Sequence, residues 1–544
     1  MEKLKQKEER GYKGKGGAKH GYTEEEKVAF ANYINGRLQS QKMLKHILPL
    51  DSSSEDLFHS CGDGILLSKL INASVPETID ERVLNTPKKD QKLNVWKRNE
   101  NLNLVVNSAK AIGCKVINIG ANDISEGTPH LLMGLLWQII RIGLLSKISL
   151  KAHPQLVVLL EEDETIEDLL SLDPEELLKR WINWQLAKTV CKKRVTNFTK
   201  DIADSECYTY LLNQISDKTC QLDPMNEDDP TKRAESMLKE ADKIGCREFI
   251  TADDVVKKNK KLNLAFSANL FNKFPALDDV DEESDAFAEM MEFTKEGTRE
   301  ERVYAMWIQS FGPEVNVNAL YDSLANGVVL AKVLDKLGAK VNWKVVSKKP
   351  KNNFVKKQNL KEVMSYARSL GLKLIGIGGE DIEEKNKTLV LGMLWQLMYY
   401  NMMDMLVKLS DDGKKIKDKD ILKWANAKVK SAGVNQRISG FTDKSLKTGE
   451  FLCYLCYACS PRSVNKEMIL DGGEEENKDE VYEMNIKYAI SCARKIGCQV
   501  FLSWEDVLEV KKRMILTFVA ALMLVDSEKT KDKQEDQSEE DMEE

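Results

Sequence analysis

The chain is poor in proline, in aromatic residues and in histidine: 12 prolines, 7% Phe, Trp and Tyr together, and five histidines in 544 residues. So few aromatics and prolines argue against an array of β-sandwiches or a collagenous chain, and 42% apolar content argues against a largely disordered one. No apolar run reaches the roughly 18 residues of a membrane span. Leu131 to Leu145 is interrupted by Gln138 and Arg141, and Met514 to Val525 is too short. The first residues alternate Lys and Glu with no apolar segment behind them, which excludes a secretory signal and points to the reducing cytosol. Neither charge sign dominates, 81 basic against 87 acidic residues, so no global attraction for nucleic acid or an anionic membrane is expected. The 11 cysteines, an odd number scattered along the chain, read as free, mostly buried thiols and not as a disulfide framework.

Catalytic patterns are equally scarce. No Gly-x-Ser-x-Gly elbow occurs, and no two histidines stand at a ligand spacing. The glycine-rich Gly11 to Gly21 and Gly376-Ile-Gly-Gly379 lack the Lys-Ser/Thr ending of a phosphate loop. Cys453-x-x-Cys456-x-x-Cys459 could in principle share a metal, but no fourth ligand follows, and the second repeat has Tyr210, Asn213 and Ser216 at the same places. Buried thiols on a helix are the better reading, so no enzyme, metal or cofactor is expected.

What the chain does have is a repeat. One phrase occurs four times: Ala111-Ile-Gly-Cys-Lys-Val-Ile117, Lys243-Ile-Gly-Cys-Arg-Glu-Phe249, Ser369-Leu-Gly-Leu-Lys-Leu-Ile375 and Lys495-Ile-Gly-Cys-Gln-Val-Phe501. The glycines are spaced 132, 126 and 126 residues apart, which nearly fills the chain. An aspartate follows at the tenth residue in repeats one and three (Asp123, Asp381) and at the ninth in two and four (Asp254, Asp506). Repeats one and three also share an apolar ending, His130-Leu-Leu-Met-Gly-Leu-Leu-Trp-Gln138 and Thr388-Leu-Val-Leu-Gly-Met-Leu-Trp-Gln396. Repeats two and four share Leu264-Ala-Phe-Ser-Ala268 and Leu516-Thr-Phe-Val-Ala520. The order is A-B-A-B, a two-domain unit duplicated whole.

Each repeat reads as helix throughout, so the fold class is all-α, four domains in two tandem pairs. Each opens on an amphipathic run with an aromatic anchor, Tyr33, Trp181, Trp307 or Trp424, the tryptophans being assigned to the core. Asp173 before Pro174 is an expected N-cap, and the Gly-Cys glycines sit where a helix C-terminus needs positive φ. Domains are expected at 23–147, 173–274, 298–408 and 418–525, with a basic disordered tail at 1–22, an acidic hinge at 275–297 and an acidic tail at 526–544. The connection at 148–172 carries Leu156 to Leu160, Leu169 and Leu170, and is expected to pack.

An early aromatic anchor, a central Asp-Gly or Asn-Gly before a Leu-rich helix, and the Leu-Gly-Leu-Leu-Trp-Gln type of ending resemble the calponin-homology domain. Four of them in tandem pairs resemble the fimbrin (plastin) family of actin-bundling proteins, as do His20-Gly-Tyr-Thr-Glu-Glu-Glu-Lys27, Gly127-Thr-Pro-His-Leu131, Leu172-Asp-Pro-Glu-Glu-Leu-Leu178, Asn197-Phe-Thr-Lys-Asp-Ile202 and Gly297-Thr-Arg-Glu-Glu-Arg302. The resemblance implies a cytoplasmic, non-enzymatic protein of the actin cytoskeleton that bundles F-actin as a monomer, with one binding unit in each pair. A signalling or microtubule adaptor is the competing use of such domains. Family members commonly carry two EF-hands before the first domain. About 22 residues precede it here, and the nearest acidic run, from Asp279, has Ser284 at the turn glycine and Met290 at the bidentate acid, so calcium independence is expected.

The same resemblance implies where actin would bind: the first and last helices of the first domain of each pair, and the first helix of the second. In the first pair these are 24–38, 129–145 and 174–188, with candidates Lys27, Arg37, His130, Leu131, Gln138, Arg141 and Lys188. In the second they are 299–311, 388–405 and 420–430, with Arg302, Gln309, Leu389, Gln396, Lys423, Lys428 and Lys430. Lys192, Lys193 and Arg194, just beyond the first helix of repeat two, join them as a basic rim that either steers an acidic filament or is merely solvated surface. The clusters around Lys88 to Arg98 and Lys348 to Lys357 carry the same two readings.

Overall fold

The computed structural model describes residues 10–13, 19–87, 92–116, 118–150, 152–161, 169, 172–278, 299–312, 315, 317, 319–409, 416–471 and 477–543. Residues 279–297 of the expected hinge at 275–297 lie outside them. Helices make up nearly all the regular structure, and their ends follow the local chemistry. Thr23, Asp173, Asp229, Asn94 and Asn352 each accept a backbone N–H of the first turn, with Pro174 and Pro230 at the first helical position. The glycines of the four repeated phrases all have positive φ, from 67° at Gly245 to 121° at Gly497. The helices Ile65–Ser74 and Val328–Lys336 open on left-handed Gly64 and Gly327, at φ 78° and 76°. Ser205 takes the same left-handed entry to Glu206–Ile215 without being glycine.

Two compact units result, residues 1–76 with 122–297, and residues 77–121 with 298–544. In the first, Glu24–Leu38 and Pro129–Leu145 bury Phe30, Ile34, Leu132, Leu135, Leu136 and Ile139. The second repeat closes on Trp181, edge-on to Phe271 at 5.2 Å and donating Nε1–H to the Pro275 carbonyl at 2.7 Å. The 148–172 connection packs as expected: Leu156, Leu159 and Leu169 are buried.

In the second unit the third and fourth repeats are joined by a segment of the first. The helix Val95–Ala111 packs along Lys478–Ile496 of the fourth repeat. Arg82 donates to the carbonyls of Met468 and Met484 at 3.2 and 2.7 Å, and Arg494 and Lys495 donate to those of Thr78 and Val83 at 2.8 and 2.7 Å. Glu100 accepts from Asn85, Arg462 and Ser463 at 2.8, 3.0 and 3.1 Å, with Lys495 at 3.8 Å. Nothing in the repeat pattern announced this union.

Three expectations need correcting. Trp424 is only half-buried, unlike Trp181 and Trp307, because Ile421, Ala425 and Val429 fill the inner face of its helix. The basic tail is not wholly irregular: Arg10–Lys13 pairs antiparallel with Lys19–Tyr22, whose end is fixed by buried Tyr22 edge-on to Phe58. The acidic tail continues the last helix, Lys512–Glu543, as its Lys, Glu and Gln content favours.

Candidate partner-binding surfaces

The two apolar helices that end repeats one and three have the same anatomy. In Pro129–Leu145 the inward side chains are Leu132, Leu135, Leu136, Ile139 and Ile140, and in Lys387–Leu409 they are Val390, Met393, Leu394, Leu397 and Met398. Each leaves one strip at helical spacing incompletely covered, Leu131, Gly134, Gln138 and Arg141 in one, Leu389, Gly392, Gln396 and Tyr399 in the other. A Cβ on Gly134 or Gly392 would meet nothing within 4 Å, so no internal packing demands glycine at either place. Mid-helix glycine costs about 1 kcal/mol relative to alanine. Trp137, next to the strip, stacks on Phe30 with ring centroids 5.8 Å apart.

Behind each strip the two domains of a pair are pinned by a matching triangle. Glu175, at the start of Pro174–Ala187, receives Arg141 at 3.3 Å and Lys260 at 3.0 Å. In the other pair Asp418 receives the Tyr399 hydroxyl at 2.7 Å and Lys512 at 3.9 Å. Tyr399 occupies the place of Arg141 on its helix, so the duplication kept the acceptor and replaced the donor. Arg141 is therefore one of several contacts across the first pair, beside Lys261 on Glu26 at 2.8 Å and Asn272 on the Leu144 carbonyl at 2.9 Å.

The remaining candidates divide by environment. Lys27 has only 2% of its surface exposed and pairs with Glu24 at 2.8 Å and Glu55 at 3.6 Å, which outweigh its burial and hold its pKa up. Lys188 lies over the Trp184 ring and pairs with Asp278 at 2.9 Å. Lys193 pairs with Asp204 and, at 2.6 Å, with Glu206; burial lowers its pKa, but these hydrogen bonds win and raise it. Lys428 pairs with Asp526 at 2.6 Å, and Gln309 donates to the Val317 carbonyl at 2.5 Å. Gln138 reaches back to the Gly134 carbonyl at 3.4 Å, and His130, Leu131, Leu389 and Gln396 are half-buried. Arg37, Lys192, Arg194, Arg302, Lys423 and Lys430 are exposed; Arg37 donates to the Ala73 carbonyl at 3.1 Å and Arg194 to that of Lys193 at 3.2 Å. Of the candidate cations, Lys27, Arg141, Lys193 and Lys428 are thus engaged by carboxylates of this chain, Lys193 while still exposed.

The repeated aspartates have a structural role. Asp254, Asp381 and Asp506 accept the backbone N–H of Thr251, Gly378 and Ser503 at 2.9, 2.7 and 3.0 Å, closing the short helices Ala252–Val256, Gly379–Glu383 and Trp504–Leu508. Cys114, Cys246 and Cys498 are buried, as are Cys453 and Cys456, whose thiols burial pushes far above the usual range. Sequence reasoning missed a set of buried asparagines. Asn101, Asn359 and Asn485 each bracket one residue through both its N–H and its C=O, Asn85, Ser347 and Leu470, within 2.8–2.9 Å. Their recurrence at the repeat period was the available signal.

Comparison with known proteins agrees with this anatomy. The calponin homology (CH) domain model matches residues 24–144, 172–276, 298–402 and 415–528. Fimbrin of Saccharomyces cerevisiae is 43% identical over 93% of this chain and 79% of its own. Plastin-3 of Homo sapiens is 43% identical over 93% of this chain and 81% of its own. The crystal structure of the actin-crosslinking core of Schizosaccharomyces pombe fimbrin superposes with a TM-score of 0.79 at 36% identity, covering 92% of this chain and 100% of that one.

Proposed function

This chain belongs to the fimbrin and plastin family of calponin-homology proteins, and from that premise we propose that it binds actin filaments at two sites and bundles them as a monomer in the cytoplasm. The observation that carries the reading is the duplicated surface: one incompletely covered strip with a central glycine in each pair, backed by the same acid-centred triangle. Two like sites on one chain bridge two filaments without dimerisation, and the second engagement proceeds at the effective concentration the linker sets.

The glycines contribute by permitting approach. With no side chain at 134 or 392, a partner's atoms can reach the helix backbone between the flanking Leu and Gln. Exposed Lys192 and Arg194 in the first unit, and Arg302, Lys423 and Lys430 in the second, supply positive charge that speeds encounter with an acidic filament and helps fix its register. Regulation by calcium is not part of this proposal, because no window of the sequence supplies an EF-hand ligand set.

Low-speed pelleting of filaments with the full chain tests the function. Filaments should sediment with the protein, equally in chelator and at micromolar free calcium, while microtubules should not recruit it. Microtubule pelleting without actin pelleting would move the protein to the adaptor reading. A several-fold calcium response of the purified protein would reveal a site outside this account.

A further inference from the structure

A groove of about 660 Å³ lies between the first two domains, inside the first unit and apart from the strips. One wall is the helix Glu24–Leu38, contributing Asn32, Tyr33, Gly36 and Arg37; the end of Pro129–Leu145 and Lys147 form another. The helix Lys260–Lys273 and the turn at Phe249 complete it. Its volume is that of sites which take small metabolites, typically several hundred Å³.

The polar groups in the groove are unevenly committed. Arg247 is held by Glu235 and Lys273 by Glu248, so those charges cancel locally. Among the described residues neither Lys147 nor Arg37 forms an ion pair, and Arg37 donates to the Ala73 carbonyl. Two positive charges therefore remain without an anion. On the third wall, Asn272 donates to the Leu144 carbonyl at 2.9 Å while its Oδ1 is buried with no hydrogen-bond partner. Asn269, 6% exposed and one turn earlier, donates to the Cys246 carbonyl at 3.4 Å. The Asn272 Oδ1 is shut off from the groove, so the amides that a bound molecule can meet there are the other side-chain atoms of Asn32, Asn269 and Asn272 that line it. Between these walls Tyr33 and Phe249 present a tilted pair of rings, centroids 5.0 Å apart.

We propose that this groove binds a small phosphomonoester that carries hydroxyl or amine donors, a nucleoside monophosphate or a sugar phosphate. The phosphate satisfies Arg37 and Lys147, the hydroxyl or amine groups meet the amides that line the groove, Asn32 among them, and a flat base or sugar face lies against Tyr33 and Phe249. Because the groove is lined by both domains of the pair, the ligand ties one to the other and stabilises that arrangement.

Gly36 supplies a clean test. It lies within a helix, and a Cβ there would meet nothing within 4 Å, so a large side chain enters open space and does not displace the core. Calorimetric titration and thermal melts of the full chain with AMP, ribose 5-phosphate and inorganic phosphate are the measurements. AMP or ribose 5-phosphate should bind with one-to-one stoichiometry and raise the Tm. Affinity should fall at least tenfold in Gly36→Phe and in Lys147→Glu and be kept in Gly36→Ala. Should Gly36→Phe melt early without ligand, exposed Lys147→Glu carries the test alone. No binding of either organic probe, inorganic phosphate binding as tightly as both, or binding that survives Gly36→Phe and Lys147→Glu would overturn the proposal.

Discussion

Lys192 and Lys193 are neighbours in the chain and both exposed, but differ in their partners. Lys193 is clasped by Asp204 and Glu206, whereas Lys192 forms no ion pair among the described residues. Lys192→Glu should leave the melting temperature unchanged and weaken filament binding with a flatter salt dependence, since an exposed rim charge acts through screened attraction. Lys193→Glu should instead cost stability, about 0.5–1 kcal/mol for a partly exposed pair, visible in a thermal melt. Filament affinity unchanged at low salt in Lys192→Glu would remove this rim from the binding surface. Glu100 is the buried counterpart. Burial raises its pKa, but the hydrogen bond from Asn85 and the charges of Lys495 and Arg462 outweigh it and hold the carboxyl below its ordinary value. At Lys495 burial dominates and lowers the pKa, although Glu100 at 3.8 Å opposes it. A depressed carboxyl stabilises the fold above its unfolded pKa, and that contribution is lost as pH falls through the folded value. Glu100→Gln should therefore cost about 3 kcal/mol at neutral pH, since it leaves a buried lysine uncompensated. It should also flatten the acid limb of stability against pH; an acid limb of unchanged slope would show that Glu100 does not carry it.

At the scale of the helix, glycines in equivalent-looking places do different work. Gly327 enters Val328–Lys336 at φ 76°, and an added Cβ would stand 3.1 Å from the Asn359 Cβ, on the residue that brackets Ser347. Gly327→Ala should destabilise by about 1–3 kcal/mol, through left-handed strain and loss of that close approach. Gly134 and Gly392 face open space, so Gly134→Leu with Gly392→Leu should raise or preserve the melting temperature by removing a helix-weakening residue. If the strips are the docking surfaces, the same double variant should lose filament binding. A variant that stays stable and still bundles would show that nothing approaches the helices there.

Over the whole molecule, the tandem-pair description and the compact units divide the chain differently. The pairs part near residue 275, yet residues 77–121 belong with 298–544. A fragment 297–544 would lose the helix Val95–Ala111 from Lys478–Ile496 and open buried Arg494 and Lys495 to solvent. Within the fold burial pushes Arg494 down to about 10, and its Nε has no hydrogen-bond partner. Fragments 1–275 and 297–544 should each bind filaments without bundling them. The second should melt below the intact chain, and the two should associate when mixed. Independent elution of the mixed fragments in size-exclusion chromatography would mean that this packing is too weak to matter to the molecule.

The amino-acid order alone determined the all-helical class, the A-B-A-B duplication, the N-cap at Asp173, the positive-φ glycines and the burial of Trp181, Trp307 and the Gly-Cys cysteines. Each of these rests on a local rule or on periodicity, which records which side of a helix turns inward. Only the tertiary structure decided that Lys27, Arg141, Lys193 and Lys428 are spent on internal carboxylates, that Trp424 lies half outside, and that Val95–Ala111 packs with the fourth repeat. A lysine that meets a filament and one that meets a buried glutamate have the same sequence signature. The partner that distinguishes them arrives from elsewhere in the chain, Glu55 for Lys27, Glu175 for Arg141, Asp526 for Lys428 and Arg462 for Glu100. Helical periodicity spans a few turns, whereas the choice among such distant partners is made by how the helices pack.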